Sequence, residues 1–90
     1  MVGTIYDNDK IKMSLFDKTQ NHGHCISHIH VNDHGDKLWI DAEGNIVKGK
    51  SNNSKAIVEW VRRNQPEIKE RLRLLAEGKE ISKIEGDYIK

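Results

Sequence analysis

The spacing of the apolar residues changes once along this 90-residue chain, and that change limits the folds open to it. In Lys10–Phe16 the apolar residues Ile11, Met13 and Leu15 occupy every second position. Alternation with period two is typical of a strand with one buried face. After Ser54 the apolar residues follow the period of a helix that packs on one side. The sequence therefore predicts an α+β fold in which the strands precede the helices.

The same alternation predicts three further strands, at residues 28–32, 37–41 and 46–48. Two groups of turn residues, 33–36 and 43–45, separate these strands and predict a hairpin followed by a second tight turn. Residues 17–23 are polar and predict a loop. We therefore expect a small antiparallel sheet (β-β-β-β) over residues 10–48.

Two helices are predicted over residues 54–77. The first follows a run of N-cap residues and ends near Asn64, because Pro66 disfavours the helical conformation at Gln65. Pro66 suits the first turn of the second helix, and Gly78 suits the position after its end. The predicted buried stripes are Ala56, Ile57, Trp60 and Val61, then Ile68, Leu72, Leu75 and Ala76.

These elements predict one domain spanning residues 1–90, since a chain this short leaves no room for a second. The helix pair is expected to form a hairpin on one face of the sheet. Residues 80–84 can return to the sheet as a last strand. A domain of this size has a thin core, so a metal ion or a subunit contact would help to stabilise it.

Composition narrows the classes of function. The net charge is +1, from 15 basic and 14 acidic residues, so direct nucleic-acid binding is not expected. The single cysteine, Cys25, excludes an internal disulfide, and no apolar run resembles a signal peptide or a membrane span. We therefore expect a cytoplasmic protein that contacts no membrane.

All five histidines lie within thirteen residues, from His22 to His34. On a strand, His28 and His30 point to the same side, with Cα atoms roughly 7 Å apart. His24 lies in the preceding loop and can fold back onto them. Because three or four imidazole or thiolate ligands complete a tetrahedral zinc site, His24, His28 and His30 are predicted to bind Zn²⁺.

Several points about this cluster stay open. The fourth ligand can be His22, Cys25, an acidic residue or water, and the metal can be structural or catalytic. A catalytic or phosphate-binding histidine pair, or ordinary hydrogen-bonded surface histidines, are the other interpretations.

The segment His24–Val31 reads H-C-I-S-H-I-H-V and resembles the H-x-x-x-H-x-H-V core of domain-of-unknown-function family 4160. The resemblance extends over residues 10 to 84 through Trp39-Ile40-Asp41 and Glu59-Trp60. The family often has two prolines where this chain has Ile26 and Ser27. The family has no agreed activity, but its members look like components of toxin–antitoxin and other mobile-element modules. The resemblance therefore implies that this protein belongs to such a module, but it does not imply a particular reaction.

These features predict a small metal-binding interaction protein of a mobile element, not an enzyme. It would inhibit or neutralise a protein partner, a toxin or a nuclease effector, as an antitoxin or a phage-encoded anti-CRISPR inhibitor does. The basic side chains of the helices form a candidate docking surface or simply a solvated helix face: Arg62, Arg63, Lys69, Arg71 and Arg73. The three arginines proposed to contact a partner there are Arg62, Arg63 and Arg71. Open sheet edges can support a homodimer. The alternative is a small histidine-dependent nuclease or toxin acting on RNA or DNA.

Overall fold

The computed structural model describes residues 2–16 and 28–89, in which five strands form one antiparallel sheet ordered as they occur in the sequence. The strands are β1 (Val2–Asn8), β2 (Ile11–Phe16), β3 (His28–Asp33), β4 (Asp36–Asp41) and β5 (Ile46–Gly49). Two helices follow, α1 (Ser54–Arg63) and α2 (Gln65–Ala76). The α+β class is confirmed, and the four predicted strands agree with β2 to β5 to within one residue at each end.

Strand β1 was not predicted, because its apolar residues do not alternate. The register between β1 and β2 shifts between Thr4 and Tyr6. An extra residue in one strand turns the next side chain to the same side of the sheet. Ile5 and Tyr6 are consequently both buried although they are neighbours in the chain.

The core lies between one face of the sheet, called here the inner face, and the two helices. Alternate residues of β2, β3 and β4 supply the inner face and are buried: Ile11, Met13, Leu15, Ile29, Val31, Leu38 and Ile40. They form one apolar cluster with Ile57, Trp60 and Val61 of α1 and with Ile68 and Leu75 of α2. The predicted stripes are confirmed except at Ala76, which is exposed at the end of α2.

The segment after α2 runs back to the sheet edge formed by β1. Gly78 takes a positive φ of 79°, as expected for a residue that ends a helix. The predicted strand at residues 80–84 is not formed. Instead, the Ile84 N–H donates to the Ile5 carbonyl at 2.8 Å, and the Ile89 N–H donates to the Tyr6 hydroxyl at 2.9 Å. We call residues 79–89 the C-terminal tail.

The tail is fixed further by Asp87. Its carbonyl accepts a hydrogen bond of 2.6 Å from Trp60 Nε1, and its carboxylate accepts bonds from Arg63 and Asn64. Ile84 and Ile89 are buried against the core. Among the described residues, neither helix has the length and hydropathy needed to cross a membrane.

Candidate functional site

The sheet face turned away from the helices, called here the outer face, carries polar and aromatic side chains. Its central row runs across four strands, because Ser14 pairs with His30, His30 with Trp39, and Trp39 with Lys48. Two further rows flank it and contain Phe16 and His28 on one side, and Lys12, Asn32 and Lys37 on the other.

The two strand histidines, His30 in the central row and His28 in the flanking row, contact each other. His28 Nε2 lies 2.6 Å from His30 Nε2, and both side chains are half-buried. The prediction that they share a face is confirmed. Two nitrogens on a tetrahedral zinc ion, each about 2.0–2.1 Å from the metal, stand about 3.3 Å apart. The 2.6 Å contact is a hydrogen bond in which one imidazole N–H donates to the other ring nitrogen. Both nitrogens could bind one ion only after that Nε2 proton is lost or moves to Nδ1 and the nitrogens separate by about 0.7 Å.

A stack of rings fixes the orientation of both imidazoles. The His30 ring lies 4.4 Å from the Phe16 ring and 4.8 Å from the Trp39 ring between centroids. His28 stacks on Trp39 at 4.7 Å. The Lys48 ammonium lies 5.1 Å from the centroid of a Trp39 ring, within cation–π range. The rings are therefore held in place before any ligand binds, which lowers the entropy cost of binding.

The environment favours the neutral form of His30. Partial burial lowers the pKa of His30, and the nearby charge of His28 lowers it further. Metals bind the neutral imidazole, so this pKa shift favours metal binding at neutral pH.

The third predicted ligand cannot be compared with this pair, because the structure describes only residues 2–16 and 28–89. His24, the third predicted ligand, lies outside the described residues, as do His22 and Cys25. His34 lies elsewhere, with Nδ1 2.5 Å from Asp33 Oδ1. Within residues 2–16 and 28–89, no three His, Cys, Asp or Glu side chains are grouped so that they could hold a metal. The described part of the chain thus supplies two of the three predicted ligands.

Asp33 is a buried carboxylate that the sequence analysis missed. It occupies an inner-face position, is 1% exposed, and accepts hydrogen bonds from the backbone N–H and side-chain amide of Asn53 at 3.1 and 3.0 Å. Burial acts to raise its pKa, but the bonds from Asn53 and His34 outweigh burial and lower the pKa to about 2. Asp33 therefore ties the start of α1 to the β3–β4 turn.

Two of the three arginines proposed as a docking surface bind within the chain. Arg63 pairs with Asp87 at 3.0 Å. Arg71 pairs with Glu67 at 2.9 Å and donates to the Ser82 carbonyl at 2.7 Å, leaving its side chain only 13% exposed. The helix surface is thus partly used to hold the C-terminal tail, and it is a weaker docking candidate than the outer face.

Comparison with known proteins gives one match. The family model described as "Domain of unknown function (DUF4160)" matches residues 10–72, from the start of β2 into α2. The chain belongs to this family. The DUF4160 match contains His28, His30 and Trp39, whereas β1 and the C-terminal tail lie beyond it. No curated protein and no solved structure matches the chain.

Proposed function

We propose that this DUF4160 protein is a metal-binding interaction protein that holds Zn²⁺ on the outer face and acts by binding a protein partner. The observation that carries the metal proposal is the 2.6 Å approach of His28 Nε2 to His30 Nε2. Two imidazole nitrogens this close would supply half of a tetrahedral site once the hydrogen bond between them opens around the ion. His24 remains the proposed third ligand.

The core suggests what the metal does. The inner face and the helices form an apolar cluster that contains neither histidine, so the metal is not needed to fill the core. We propose that zinc adds stability by preferential binding to the folded state. That gain is about 2.7 kcal/mol when free zinc exceeds its dissociation constant a hundredfold.

The side chains around His28 and His30 favour a binding function over a catalytic one. Asp41 is the cross-strand partner of His28, but its carboxylate accepts hydrogen bonds from the N–H groups of Glu43 and Asn45, both at 2.9 Å. It is therefore held by the turn and poorly placed to act as a general base. This arrangement supports a closed metal site more than a hydrolytic one.

Strand β5 is the best candidate for protein contact. The opposite edge of the sheet, β1, is covered by the C-terminal tail through Ile84 and Ile89. On β5, Ile46 and Val47 are 46% and 51% exposed. Exposed apolar edge strands readily pair with a strand of another chain. We propose that a toxin or nuclease effector, or a second copy of this chain, pairs there in the cytoplasm.

A zinc titration tests the metal proposal. Untagged protein, stripped with a chelator, is titrated with Zn²⁺ in a calorimeter, and its metal content is then measured. We expect about one zinc per chain for the native protein and a large loss of affinity for His30→Ala. His34→Ala is the matched control, because it removes an imidazole from the same strand–turn segment but away from the pair. Equal affinity in all three proteins would refute the site.

Incubation with RNA and DNA tests the nuclease alternative, which the lysines near the histidine pair favour. We expect no cleavage. The nuclease alternative would be correct if sub-stoichiometric protein cleaves RNA or DNA and if folded His28→Ala and His30→Ala variants do not.

A further inference from the structure

Two depressions on the outer face lie on either side of Trp39. One has a volume of about 350 Å³ and is lined by Lys12, Ser14, His30, Val31, Asn32, Lys37 and Trp39. The other has a volume of about 320 Å³ and is lined by Lys37, Trp39, Lys48 and Gly49. Because Lys37 and Trp39 line both, the depressions form a path that crosses the strands from β2 to β5.

Positive charge is concentrated along this path although the whole chain is nearly neutral. Lys12 pairs in register with Asn32, and Asn32 with Lys37, so Lys12 and Lys37 lie two strands apart. At a strand spacing of about 4.8 Å, their Cα atoms are about 10 Å apart. Lys48 lies on β5 in the neighbouring central row, where it pairs with Trp39. All three lysines are exposed.

Acidic groups on this face offset the charge only in part. Asp7 lies opposite Lys12 at the β1 end. Asp41 accepts hydrogen bonds from the turn that follows it, including a bond from the Asn45 N–H at 2.9 Å. The lysines at the β4 and β5 end thus have no carboxylate directly opposite them in register.

The hydrogen-bond donors around the first depression fit a phosphate better than a carboxylate. Lys12 and Lys37 supply ammonium groups, and Ser14 supplies a hydroxyl. The Asn32 Oδ1 already accepts a bond from the Gly35 N–H at 2.9 Å, which leaves its amide nitrogen to donate. These donors match the several oxygens of a phosphate, whereas a carboxylate has two oxygens.

We propose that the outer face binds single-stranded nucleic acid, with successive phosphates at Lys12, Lys37 and Lys48. Because His28 and His30 stack on Trp39, a base contacts only the part of the Trp39 ring that these two imidazoles leave exposed. A lysine-lined path beside an aromatic side chain is the arrangement that holds single strands without sequence preference. In a duplex the base faces are stacked inside, so Trp39 would have none to contact. This activity goes beyond metal binding and does not rest on it.

The number of lysines sets the expected salt dependence. Three phosphate contacts to a single strand release counterions with a slope of log K against log salt of about −2. A fourfold rise in salt, from about 50 to about 200 mM, should therefore weaken binding roughly 20-fold. Each lysine lost should reduce the slope by about 0.7.

Fluorescence anisotropy with labelled RNA and DNA oligonucleotides of about twelve nucleotides tests the proposal. Lys12→Glu, Lys37→Glu and Lys48→Glu should each weaken binding and flatten the salt slope. Lys55→Glu makes the same charge change on α1, away from the outer face, and should leave the affinity and the salt slope unchanged. Trp39→Ala should weaken binding roughly 5- to 100-fold. Urea midpoints of all the variants confirm that each is folded.

Four results would overturn the proposal. The first is no anisotropy change at low salt up to the protein's solubility limit. The second is equal weakening by Lys55→Glu and Lys37→Glu, which would indicate a general charge effect. The third is tighter binding of a poly-glutamate peptide than of either oligonucleotide, which would assign the face to an acidic protein. The fourth is binding only in the presence of zinc, because the proposed activity does not rest on the metal site. Binding in the presence of chelator is the expected result.

Discussion

The two faces of the sheet are built from the same strands but contain different chemistry. On β4, Leu38 and Ile40 are fully buried on the inner face, while Lys37 and Trp39, which alternate with them along the strand, lie on the outer face. The inner face is almost wholly apolar and packs on the helices. The outer face carries histidines, lysines and stacked rings, and none of them belongs to the core cluster. Neighbouring residues in one strand thus lie in the core and on the proposed binding face, so we expect stability and binding to change independently.

The largest expected effect contrasts two neighbours on β4. Ile40→Ala should lower the free energy of unfolding by about 2–5 kcal/mol, because it leaves a cavity in a packed core. Trp39→Ala should lower it by about 1 kcal/mol or less, since its contacts are cross-strand pairs on the other face. Urea denaturation of both variants measures the difference. If Trp39→Ala lowers the free energy of unfolding as much as Ile40→Ala does, the outer face also stabilises the fold.

Asp33 is an exception to the contrast between the two faces, because it is a carboxylate on the otherwise apolar inner face. Asp33→Asn should cost about 2 kcal/mol near neutral pH, since it removes the charged acceptor of the Asn53 bonds. The pKa of Asp33 is about 2 in the folded protein and 3.8 in a model peptide. Its contribution is therefore present above about pH 4 and is lost as the pH falls towards 2.

Urea midpoints of native protein and Asp33→Asn, measured between about pH 7 and pH 2, should converge at the acidic end. Asp36→Asn is the control, because Asp36 is an exposed carboxylate in the same turn. A constant difference across the whole pH range would mean that Asp33 acts through packing and not through its charge.

The smallest expected effect concerns the outer face alone. Without metal, His30→Ala should change the free energy of unfolding by about 0.5 kcal/mol or less, as substitutions outside the core usually do. With zinc, the native protein should become more stable and the variant should not. Thermal melts of both proteins, with and without zinc, give all four values. If His30→Ala markedly lowers the free energy of unfolding without metal, the outer face contributes to stability and the two faces do not have separate roles.

The sequence predicted those parts of the fold that depend on local patterns. Alternation located β2 to β5, and Pro66 and Gly78 marked the limits of α2. The missing parts depend on contacts between distant residues. The bulge in β1 places Ile5 and Tyr6 on one side and so hides the alternation. The C-terminal tail binds β1 through single hydrogen bonds, for which the sequence has no periodic signal.

The site was predictable to the same degree. Period two placed His28 and His30 together, because the two residues lie on one strand. The alternation could not predict that Trp39 and Lys48 lie in the same cross-strand row as His30, because that depends on the register between strands. The bond between Asp33 and Asn53 joins residues 20 positions apart and was equally invisible. The role of His24 stays a prediction.

The covering of β1 by the C-terminal tail has a consequence for synthesis on the ribosome. Tyr6 is made near the start, and its partner Ile89 is made 83 residues later. At 5–20 residues per second, roughly 4–17 s separate the two. During that interval the edge of β1 is open, and the nascent chain is exposed to wrong pairing with neighbouring chains. Emergence of residues 79–89 from the ribosome closes that edge, so a ribosome that stalls before these residues leaves a nearly complete sheet still able to aggregate.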